Sequence, residues 1–113
     1  MAKWTELVCL RIWASEDDTL DTRPLHEVIL RSAREAGLAG ATVIRGIASY
    51  GHSRHIHETW RGFSYDLGVL VEIVDSEAKI DAWLPVLEEM RQGCLVTRTR
   101  TEVLEPYGAS AAR

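Results

Sequence analysis

Residues 6–14, ELVCLRIWA, constrain the fold most. As a strand they put Val8, Leu10 and Ile12 on one face and Leu7, Cys9, Arg11 and Trp13 on the other. Both faces are largely apolar, so the strand needs cover on both sides. Residues 69–74, VLVEIV, repeat the pattern. Val69, Val71 and Ile73 alternate with Leu70, Glu72 and Val74.

Two amphipathic helices are expected. Pro24 opens the first, where its missing N–H costs nothing. Leu25, Val28, Ile29, Ala33 and Ala36 recur at helical spacing, and Gly37 stops it. Asp75 or Ser76 caps the second, which buries Ile80, Trp83, Leu84, Leu87 and Met90, should kink at Pro85 and ends at Gly93. Residues 41–50 and 95–104 supply two further strands, and residues 15–23, SEDDTLDTR, read as a polar loop. Residues 51–64 form an excursion with a short strand expected near 56–60, and 105–113 read as a flexible tail of a single domain spanning 1–113.

The order β-α-β-β-α-β with right-handed crossovers specifies an α+β, ferredoxin-like sandwich, an antiparallel sheet with two helices on one face. Neither helix is then left to cover the other apolar face, which points to self-association in a closed oligomer.

Residues 40–51, GATVIRGIASYG, run directly into HSRHIH. Arg45 and Gly46 in mid-strand suit a backbone that must approach a ligand or another chain. Arg45, Arg54 and Arg61 and three histidines crowd residues 45–61, although the whole chain carries a net charge of −4. A local basic surface on an acidic protein fits a small anion better than nucleic acid. Gly46, Gly51 and nearby amides could cradle a phosphate, with Arg45, Arg54, Arg98 or Arg100 neutralising it. Arg98 and Arg100 share one strand face and serve equally as edge charges that block aggregation. His52, His55 and His57 could hold zinc or copper, or be surface histidines, since only Glu58 supplements the set. No nucleophile stands with an identifiable base, so no enzymatic activity is expected. Cys9 and Cys94 lack CxxC spacing and read as buried free thiols. No apolar run approaches the ~20 residues of a membrane span, and no secretory leader is recognisable, so a cytoplasmic protein is expected.

The succession LRIWASEDD, RPLHEVILRSAREAGLAGATVIRGIASYG, a loop containing SRHIH, then DLGVLVEIVDSEAKIDAWLPVLEEM resembles the domain of unknown function 190 family of PII-like proteins over residues 6–104. The resemblance implies a PII-like homo-trimer with ligand clefts between subunits. It further implies sensing of a small ligand, adenine nucleotides being the common class, and control of a partner through the loop after the second strand. A membrane transporter or channel is among the partners it suggests. Gly51 to Tyr65 would be that loop and Arg45 to Tyr50 the cleft-facing strand, with Arg23 and Pro24 as the pre-helix element. Gly68 stands where the resemblance leads one to expect proline.

Overall fold

The computed structural model describes residues 2–50, 57–58 and 67–107. Four strands make the main sheet: β1 (Lys3–Ser15), β4 (Ala41–Arg45), β7 (Gly68–Asp75) and β8 (Leu95–Glu105), in the order β4-β7-β1-β8. Every neighbouring pair is antiparallel. The two doubly apolar strands are thus the central ones. Helices α1 (Leu25–Glu35) and α2 (Glu77–Met90) share one face of the sheet. Val8, Leu10 and Ile12 of β1 and Val71 and Ile73 of β7 meet Leu25, Ile29, Ala33, Ile80, Trp83 and Leu87 there, forming the core. This is the expected ferredoxin-like sandwich.

The helix ends follow from local chemistry. The N–H of Gly37 donates to the carbonyl of Arg34 and that of Leu38 to Ala33, while Gly37 takes the left-handed conformation at φ 79°. Leu38 drops into the core, completing a Schellman stop. Ser76 caps α2, its Oγ accepting from the N–H of Lys79. Asp75, the other capping candidate, is buried: Oδ1 accepts from the N–H of Ser76 at 2.7 Å and Oδ2 from the N–H of Ala39 at 2.8 Å. It ties the α1–β4 connection to the start of α2. Helix α2 runs on through Pro85.

Two expectations need correction. The polar loop of 15–23 contains a hairpin, β2 (Thr19–Leu20) paired with β3 (Arg23–Pro24). Asp21 and Thr22 turn it with φ of 50° and 68°, as a type I′ turn demands. Thr is β-branched and strained there. Thr22→Gly should therefore stabilise the protein by about 0.5–1 kcal/mol, read as a rise in the urea midpoint at unchanged slope. The strand expected over 41–50 also breaks. β4 ends at Arg45, and β5 (Ala48–Ser49) pairs instead with β6 (His57–Glu58), the short strand expected near 56–60.

Both cysteines are free and buried. Burial pushes the Cys9 thiol up, the Glu72 charge adding to it against Arg11. Burial likewise raises Cys94, with Asp18 next in effect. Thiolate is the reactive species. Both should resist alkylation in native protein near pH 8 and react within minutes once denaturant is added, as mass spectrometry would show.

Candidate functional site

The corner that holds Arg45 and Gly46 is built where β1 and β4 finish and β7 begins. The N–H of Gly46 donates to the Gly68 carbonyl at 2.8 Å, and a Cβ on residue 46 would lie 3.1 Å from that oxygen. The N–H of Gly68 donates to Ser49 Oγ at 2.8 Å, and a Cβ on residue 68 would meet the same oxygen at 3.1 Å. Glycine at 46 thus lets the chain approach its own strand β7, a structural demand independent of any ligand. The donor role of Gly68 is one that proline could not fill.

Glu16 completes this corner. Its N–H donates to the carbonyl of the fully buried Leu67 at 2.7 Å, and its carboxylate lies 3.1 Å from Arg45 Nε. Arg45 is half exposed and Glu16 a quarter exposed. The segment that leaves β5 and returns at Leu67 therefore has roots fixed to the sheet. Glu16, Ser49 and Leu67 were not singled out from the sequence. Glu16 was one acid within an acidic run, and its pairing with Arg45 links positions 29 residues apart.

Arg98 and Arg100 lie elsewhere. They project from β8 on the helix side of the sheet, at the opposite edge from β4. Three strand spacings separate the two edges, about 14 Å. Arg98 pairs with Asp81 at 2.8 Å; Arg100 pairs with Glu6 at 3.1 Å and Glu77 at 3.0 Å. Its hydrogen bond to Glu6, with the Glu77 charge, holds the Arg100 guanidinium above its ordinary pKa. Both arginines thus fasten β8 to α2. A single chain does not bring them to Arg45, and an anion touching all three would have to lie between two chains.

Gly51, His52, Arg54 and His55 lie outside the described residues, and His57 is placed only as part of β6. The metal reading therefore rests on the sequence alone. Among the described residues, no three His, Cys, Asp or Glu side chains gather as a metal set.

This architecture has counterparts. The family model DUF190, described as an uncharacterized ACR, matches residues 7–103. The chain belongs to the DUF190 family. A UPF0166 protein of Aquifex aeolicus is 40% identical over 97 residues, covering 84% of this chain and 90% of the relative. Among solved structures, CPII of Thiomonas intermedia K12, a nitrogen regulatory PII-like protein bound to ADP, AMP and bicarbonate, superposes with a TM-score of 0.60. It is 17% identical, with 89% of this chain and 91% of that one covered. A putative PII-like signalling protein of Thermus thermophilus gives 0.59 at 16% identity, covering 89% and 90%. At such identities the likeness shows the fold, which is PII-like. No described helix is long and apolar enough to cross a membrane.

Proposed function

We infer that this DUF190 protein is a non-enzymatic, cytoplasmic PII-like regulator. It assembles as a homo-trimer and binds a small anion, an adenine nucleotide, in clefts between subunits. Its likeness to CPII, a protein crystallised with ADP, AMP and bicarbonate, carries this reading. The placement of the arginines supports it. Arg45 stands at one sheet edge and Arg98 and Arg100 at the other, so adjacent copies could supply both sides of one cleft. Arg45 and Gly46 would border the ligand, with Gly51 and Arg54 on the segment that follows. That segment, after β5, would present the bound state to a partner protein, the reading's candidate being a membrane transporter or channel.

Calorimetry with ATP, ADP, AMP and cyclic nucleotides tests it. At least one should bind at micromolar to sub-millimolar strength, and Arg45→Ala should weaken that binding about tenfold or more, as loss of a charge-assisted contact does. Silence from all of them to millimolar concentration overturns the nucleotide reading.

A further inference from the structure

The ion pair between Arg45 and Glu16 joins two strands that are not neighbours. Arg45 ends β4, Glu16 follows β1, and β7 lies between them. The register sets Arg45 opposite Val69 and Ser15 opposite Gly68, so the two side chains meet across the first residues of β7. Arg45 Nε lies 3.1 Å from Oε1 of Glu16 and 3.2 Å from Oε2. Both carboxylate oxygens are therefore turned to the guanidinium.

Glu16 is held there by its own backbone. Its N–H donates to the Leu67 carbonyl, and it sits in a turn closed from both ends. The N–H of Ser15 donates to Asp18 Oδ2 at 2.9 Å, and that of Asp18 to the Ser15 carbonyl at 3.0 Å. A carboxylate on so fixed a backbone loses little freedom on meeting Arg45. The glycine amides beside it are committed elsewhere: Gly46 donates to the Gly68 carbonyl and Gly68 to Ser49 Oγ. An anion arriving at this corner is drawn by the Arg45 side chain rather than by those two amides. It meets that side chain already facing an equal and opposite charge.

We propose that Glu16 is a built-in competitor for the ligand: an anion claims the Arg45 charge only against the Glu16 carboxylate, so Glu16 sets the affinity of the site. This rests on the reading above in which Arg45 borders a nucleotide. The alternative role for Glu16 is to orient Arg45 toward the ligand, and the two roles predict opposite signs. Calorimetry with ADP on Glu16→Gln separates them. Gln keeps the length of the side chain and removes its charge, so competition predicts binding about three- to tenfold tighter than in the wild type. Orientation predicts weaker binding. A double-mutant cycle with Arg45→Ala then shows whether the contest is for Arg45 itself. In that background Glu16→Gln should leave ADP affinity unchanged, because there is no guanidinium left to contest. Weaker or unchanged binding by Glu16→Gln, with the wild type still binding ADP, would overturn the proposal and leave the nucleotide reading standing. Equal tightening with and without Arg45 would also overturn it, since Glu16 would then act by general charge repulsion. ADP binding to neither the wild type nor Glu16→Gln would remove ADP as the ligand, and the proposal with it.

Discussion

Trp83→Ala should cost about 3–5 kcal/mol, a large part of the roughly 5–15 kcal/mol by which a domain of this size is stable. Trp83 is 2% exposed and sits in the core on α2. Its Nε1 donates to Ser32 Oγ at 3.2 Å, so it also links the two helices. Truncation removes the buried ring, leaves a cavity the sheet is too rigid to fill, and strands the Ser32 hydroxyl. Trp83→Phe keeps most of the ring and should cost about 1–2 kcal/mol; Ser32→Ala, which removes only the acceptor, about 1 kcal/mol. Urea unfolding of the three variants gives the ranking. A Trp83→Ala loss below about 1 kcal/mol would mean that α2 does not pack on α1 and the sheet in this way.

The second large effect belongs to a polar residue. Asp75→Ala should destabilise the protein by about 2–4 kcal/mol, because it removes both charge-assisted hydrogen bonds that the carboxylate accepts, from the N–H groups of Ala39 and Ser76. The lost charge also stood at the N-terminus of α2, where it favours the helix dipole. Asp75→Asn retains one carbonyl oxygen and can accept from one of the two N–H groups, so about half that loss is expected. The amide of Ala39 should lose hydrogen-exchange protection in the Ala variant before the β1–β7 ladder does. Equal stability of the Asp and Ala proteins would show that this tie contributes nothing.

How much of this was legible beforehand depended on the range of the interactions. Val69, Val71 and Ile73 alternate with Leu70, Glu72 and Val74, and that period placed β7 and its two faces, though not which of them the helices cover. The helices were equally plain, because Leu25, Ile29 and Ala33 recur at helical spacing before Gly37. The hairpin at 19–24 was hidden because Asp21 and Thr22 adopt positive φ without glycine or asparagine to announce it. The break after Arg45 was hidden for a related reason. Gly46 signalled a close approach, but the approaching group is the Gly68 carbonyl, 22 positions on. Pairings such as Arg45 with Glu16, and Arg98 with Asp81, depend on which strands become neighbours, and composition carries no trace of them. Family resemblance and strand pattern agreed on the fold. The proposed ligand rests on the resemblance and on the likeness to CPII, and its proposed place rests on the arginines.

Trimeric assembly around a nucleotide-binding cleft is the account's central claim, and native mass spectrometry of untagged protein with and without ADP, ATP or AMP tests it most directly. The predicted spectrum shows a trimer that gains the mass of up to three nucleotides and loses that gain in Arg45→Ala. A monomer at every concentration, or a trimer to which no nucleotide adds, would contradict it.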